Sequence, residues 1–185
     1  MKKVLSVCAA SLAVLLAATP IAEAHVGTQS RGNTLVAGKS SRIYLSLGHG
    51  CTYEGVQYGT RIFSVVVPST AGKPTPEFVQ GWPVKVLAST QVDAKNVPDH
   101  YTVTWTSKSN YWVIDPYTFF DFGMKVTWNT TPQTIAFKTT QTCYAPTGVG
   151  QKPLYLQWTI TDGSTQAATA DTEFGPAPTV TTVAS

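Results

Sequence analysis

Beyond residue 24 the apolar positions never hold the 3.6-residue spacing of a surface helix for long. They fall instead into short runs rich in threonine, valine and aromatic residues, the composition that suits a pleated, half-buried surface. Seven runs stand out: 42–47 (RIYLSL), 61–67 (RIFSVVV), 82–87, 101–106, 119–128, 133–140 and 154–161. Clusters of Gly, Pro, Asn and Ser separate them, such as Ala71-Gly72-Lys73-Pro74, Pro98-Asp99-His100 and Asn129 to Pro132, and these are turn-forming residues. Pro68 closes the second run, because proline removes a ladder donor from a central strand. The first run carries apolar side chains on both faces.

Seven short strands at this spacing predict an all-β chain. The expected architecture is an antiparallel β-sandwich of the immunoglobulin or fibronectin kind, in which alternate residues fill the space between two sheets; a closed barrel is the alternative. Trp82 and Trp105 are expected in its core, while Trp158 reads equally as core or as a residue beside a site. There is no internal repeat. From about residue 163 the chain is rich in Ala, Thr and Pro, and this tail is expected to pack loosely; it has no apolar run to anchor it in a membrane.

The start of the chain has a different character. Lys2 and Lys3 precede an apolar stretch over residues 4–18, and Ala22-Glu23-Ala24 has the small-x-small pattern of a signal peptidase site. The apolar stretch is shorter than the roughly 20 residues needed to span a bilayer. Residues 1–24 therefore read as a signal peptide cleaved after Ala24, and residues 25–185 as a single domain that is periplasmic or secreted, with no membrane span after cleavage. Loss of Lys2, Lys3 and Glu23 leaves 11 of the 13 Lys and Arg and 9 of the 10 Asp and Glu, a formal charge of +2. Such a weak, scattered balance excludes a nucleic-acid footprint. Cys8 departs with the signal, so Cys51 and Cys143 remain, and in an exported chain two cysteines most simply form one disulfide.

Cleavage after Ala24 would make His25 the first residue, offering its α-amine and ring Nδ1 to a metal in one chelate. That donor pair suits the tetragonal preference of Cu(II), and both nitrogens can lose a proton to a metal near neutral pH. A second histidine would complete the brace used by copper oxidases. The remaining candidates are His49, expected to fix a turn beside Cys51, and His100, expected to be exposed in its own turn. GxSxG, HxxxH and CxxC are absent, which removes the common hydrolase elbow and metal-cluster signatures. Asn129-Thr130-Thr131 has the form of a glycosylation sequon but reads as a turn.

Seven short motifs follow in order: Ala24-His25-Val26, Leu47-Gly48-His49-Gly50-Cys51, Val65-Val66-Val67-Pro68, Gly81-Trp82, Phe120-Asp121-Phe122, Gln141-Thr142-Cys143 and Gln157-Trp158. With the signal peptide they make the chain resemble the YcnI-like family of secreted copper-binding domains. The resemblance implies a sandwich that binds Cu(II) through a monohistidine brace, with His25 as chelator, an acidic residue before a phenylalanine close by, and a tryptophan near the metal. Carried over by position, the last two become Asp121 and Trp158. Asp121 departs from the family's glutamate, His25-Val26-Gly27-Thr28 departs from its usual His-Val-Thr-Val start, and the stretch from Tyr144 to Tyr155 is longer than expected. The implied function is copper homeostasis or chaperoning, with copper passed to or from a trafficking protein. The alternatives are a brace-type copper oxidase and a cell-surface interaction module that binds no metal.

Overall fold

The computed structural model describes residues 25–53, 55–145 and 152–185; the expected signal peptide, residues 1–24, lies outside the described residues. Among the described residues thirteen strands follow one another: β1 (Val26–Gln29), β2 (Ser40–Leu47), β3 (Cys51–Tyr53), β4 (Val56–Pro68), β5 (Thr75–Pro76), β6 (Val84–Ala88), β7 (His100–Thr106), β8 (Phe120–Thr127), β9 (Thr134–Ala136), β10 (Lys138–Tyr144), β11 (Leu154–Ile160), β12 (Thr172–Pro176) and β13 (Thr179–Thr181). One sheet has the order β1-β2-β8-β5; the other runs β12-β11-β10-β4-β7-β6, with β3 hairpinned onto β4, and β13 pairs β9 in a small ribbon. This is the expected all-β sandwich.

All seven runs contain strands, with local adjustments. Residues 133–140 divide into β9 and the start of β10. Pro83 shifts the start of β6 to Val84, as expected of a residue that cannot donate to a ladder. The tail departs from its expected looseness: residues 164–168 are exposed, but β12 joins the second sheet and β13 buries Val180.

The period-2 alternation explains how the sheets close on each other. Ile43, Leu45 and Leu47 on β2 point inward, as do Phe63, Val65 and Val67 on β4, all essentially fully buried. Tyr44 is on the outer face, where the Arg31 guanidinium lies 3.6 Å from its ring centroid, so the second apolar face of β2 is covered by a folded-back arginine. Phe122 of the first sheet stacks on Phe63 of the second, with centroids 4.5 Å apart, and Trp105 and Trp82 pack around it at 5.0 and 5.5 Å. Both tryptophans expected in the core are therefore there.

Cys51 and Cys143 form the expected disulfide, with Cα atoms 6.0 Å apart, tying β3 to β10. His49 takes the local role expected of it: its Nδ1 donates to the Gly50 carbonyl at 2.6 Å, and its own carbonyl accepts from the buried Gln141 amide at 3.2 Å.

Candidate metal centre

β1 is an edge strand of the first sheet, and β12 is an edge strand of the second. His25 stands just before β1, exposed, and its position follows from the β1–β2 pairing, which sets Val26 opposite Leu47. The burial of Val26 fixes the register, because a one-residue slip would turn it to solvent. Between the two edges lies a groove of about 250 Å³ in which His25, Trp158 and Glu173 share the lining with Gly175, Ser164 and Gln166.

Trp158 comes from β11, where Leu154, Leu156 and Trp158 alternate inward. β12 runs parallel to β11, setting Leu156 opposite Glu173 and Trp158 opposite Gly175. Parallel neighbours put facing residues on the same side of the sheet, so Glu173 and the indole share the inner face at its edge. Gly175 makes room for that indole: a Cβ there would sit 3.0 Å from Trp158 Cδ1 and 3.4 Å from Nε1. The bare backbone of β12 is thus one wall against which the tryptophan lies.

A parallel partner needs a return connection, and residues 161–171 make it. At its start the Ser164 amide donates to Asp162 Oδ1 at 3.0 Å, with Gly163 at φ +75°; Ser164 holds the Asp162 carboxyl below its ordinary value through side-chain and then backbone hydrogen bonds. At its end the Tyr155 amide donates to the Asp171 carbonyl at 2.8 Å. Ser164 and Gln166 of this connection form the outer wall of the groove.

Of the residues singled out from the sequence, the fold brings His25 and Trp158 together and leaves Asp121 apart. Asp121 sits on β8 opposite Ser46, which in turn faces Gly27. Its Oδ2 accepts from Arg31 Nη2 at 3.1 Å, in the arginine fold-back that covers Tyr44, and it does not line the groove. The physical reason is parity: Phe120-Asp121-Phe122 is a strand whose phenylalanines pack together at 4.9 Å, so the aspartate between them is turned to the opposite face. Glu173 is the carboxylate that does reach the groove, and sequence reasoning missed it. The signal was nevertheless present, since a glutamate before a phenylalanine occurs at Glu77-Phe78 and at Glu173-Phe174. The other histidines lie elsewhere: the His49 ring is engaged with Gly50, and His100 begins β7 opposite Pro68 with its Nδ1 2.8 Å from Asp99 Oδ1.

Among the described residues no three His, Cys, Asp or Glu side chains form a metal cluster. The groove instead offers one imidazole and one carboxylate, with an indole between the sheets. Nitrogen and carboxylate oxygen are donors that Cu(II) accepts in tetragonal geometry. An amine on the same histidine would add a second nitrogen without demanding another side chain, so the residues present fit a copper ion.

No curated protein matches this chain. Among solved structures it is similar to an uncharacterized protein from Nocardia farcinica described as having an immunoglobulin-like fold, with a TM-score of 0.57 and 19% identity over 85% of this chain and 97% of the other. That likeness establishes the immunoglobulin-like fold. The family model described as a domain of unknown function, DUF1775, matches residues 25–181 and so takes in both sheets and the groove; this chain belongs to that family, whose domain is the YcnI-like one.

Proposed function

We propose that this is an exported copper-binding protein that holds Cu(II) at His25 and passes it to a trafficking partner in the periplasm or outside the cell. The observation that carries the reading is the meeting of His25, Glu173 and Trp158 in one groove, although they are scattered along the chain. After cleavage behind Ala24, the α-amine and Nδ1 of His25 would chelate the ion, and Glu173, in place of Asp121, would supply an oxygen. Trp158 would shield the site on its buried side. An edge groove with one histidine favours holding and release over oxygen chemistry, since neither His49 nor His100 lines it.

The test is electron paramagnetic resonance of the processed protein with one equivalent of Cu(II), beside a form carrying one extra residue before His25. A tight tetragonal signal with nitrogen couplings in the first form, weakened strongly in the second, is expected. A signal that is absent, or indifferent to the extra residue, refutes the brace.

A further inference from the structure

A second groove, of about 240 Å³, opens at the end of the sandwich where β4 and β8 begin, and Arg61, Asn110, Asp115 and Tyr144 line it together with Val113 and Pro116. Arg61 is there because of a β-bulge. On β10, Thr142 faces Ile62 and Cys143 faces Thr60, which leaves Arg61 as the extra residue without a β10 partner. By the alternation that buries Phe63, Val65 and Val67, Arg61 would otherwise point into the core. Bulges re-aim side chains in this way, and here the guanidinium lies 5.0 Å from the Tyr144 ring centroid. Among the described residues it has no carboxylate ion-pair partner, and its planar fork of donors belongs to the lining of the groove.

The other polar groups are equally prepared. Asp115 Oδ1 accepts from the Tyr117 amide at 2.8 Å, which fixes the carboxylate and leaves its second oxygen as an acceptor. Asn110 offers both a donor and an acceptor. Tyr111 and Tyr117 adjoin the lining residues Asn110 and Pro116 in the chain, with 85% and 77% of their surface exposed. Tyr111 is braced edge-on against Trp112, with centroids 5.3 Å apart at 90°, and Trp112 lies on Gly81, where any Cβ would meet its ring. An exposed but braced aromatic loses little conformational freedom when it makes a contact.

We propose that this groove binds one sugar ring of a polysaccharide. A pyranose presents adjacent hydroxyls that both donate and accept, which matches an arginine, a carboxylate and an amide converging on one space. Its axial C–H faces are apolar and stack on aromatic rings such as those of Tyr111 and Tyr117. The volume falls below the roughly 300–1,000 Å³ of pockets that enclose a drug-sized ligand, so one ring would be seated while its neighbours in the chain lie across the exposed tyrosines. The site is separate from the His25 groove and stands independently of copper binding.

The test is a titration of the processed protein with hexose, hexuronate and N-acetylhexosamine tetrasaccharides, followed by the NMR signal of the Trp112 indole and by calorimetry. Saturable binding of at least one of them is expected, weakened at least about tenfold in Arg61→Ala and in Tyr111→Ala, with Lys138→Ala unaffected. Arg61→Lys, which keeps the charge but loses the planar fork, guards against a folding defect and should also weaken binding. No saturable binding up to about 10 mM, which leaves less than about 3 kcal/mol, overturns the proposal, as does binding that survives both substitutions. Binding to vesicles of phosphatidylglycerol and phosphatidylcholine that depends on Tyr111, without sugar binding, would reassign the aromatics to a bilayer surface and overturn it too.

Discussion

Replacing Cys51 and Cys143 together by alanine removes a cross-link between residues 92 apart in sequence. In the chain-entropy model, closing a loop of that length restrains the unfolded ensemble by about 4–5 kcal/mol, against roughly 2–4 kcal/mol for a typical native disulfide. Both cysteines are fully buried, so each substitution also leaves a small void, and the Thr60 hydroxyl loses its 3.8 Å contact with Cys143 Sγ. The expected loss is therefore about 3–5 kcal/mol, a large share of the 5–15 kcal/mol of an ordinary domain. For a chain of this size that lowers the unfolding midpoint by about 6–20 °C. Guanidinium unfolding followed by tryptophan fluorescence provides the assay, since Trp82 and Trp105 lie in the core. The unfolded chain should also become more expanded once the loop is opened, so the denaturant slope m should rise. A loss below about 1 kcal/mol with unchanged m would refute the reasoning, because it would mean that the cross-link does not restrain the unfolded chain.

Three further outcomes are expected. Phe122→Ala removes the ring on which Phe63, Trp105, Trp82 and Phe120 converge; it should cost about 3–5 kcal/mol in urea unfolding, and a cost under about 1 kcal/mol would contradict the packing described. Glu173→Gln should weaken Cu(II) binding by about tenfold or more, as loss of a charged donor does, whereas Asp121→Asn should leave it unchanged and cost at most about 1 kcal/mol of stability, because its arginine partner is half exposed. The opposite ranking in a competition titration would restore Asp121 to the metal. The pKa of Asp162 is lowered in the folded chain by its hydrogen bonds from Ser164, so its contribution is complete above the unfolded-state value of about 3.9 and fades as pH falls through the lower folded value. Amide exchange at Ser164, corrected for its intrinsic pH dependence, should lose protection only in that acid window; loss between pH 5 and 7 would point to another group.

The amino-acid sequence by itself determined the structural class. Alternation and turn residues are local properties, and they sufficed to place strands over residues 42–47, 61–67, 101–106 and 154–161 because each buries one face whatever its partner. The disulfide was equally legible, since only two cysteines remain after residue 24. Trp82 and Trp105 could be assigned to the core because few other places suit so large an apolar surface. The strands left unread, β1, β3, β5, β12 and β13, are short, and β12 (TEFGP) contains a glycine and a proline and has no alternation of its own. Such a segment becomes a strand only when an existing edge offers it hydrogen bonds.

What only the tertiary structure decided was which acid shares a groove with His25. Asp121 and Glu173 both precede a phenylalanine and are equivalent as local patterns. One lies mid-strand between two phenylalanines that pack together, which turns its carboxylate outward to Arg31. The other is carried to the groove by a parallel return connection over residues 161–171 that sets Gly175 against Trp158 and Glu173 one step away. The difference is one of topology: alternation along a strand fixes which residues share a face, but the order of strands in a sheet fixes which faces meet.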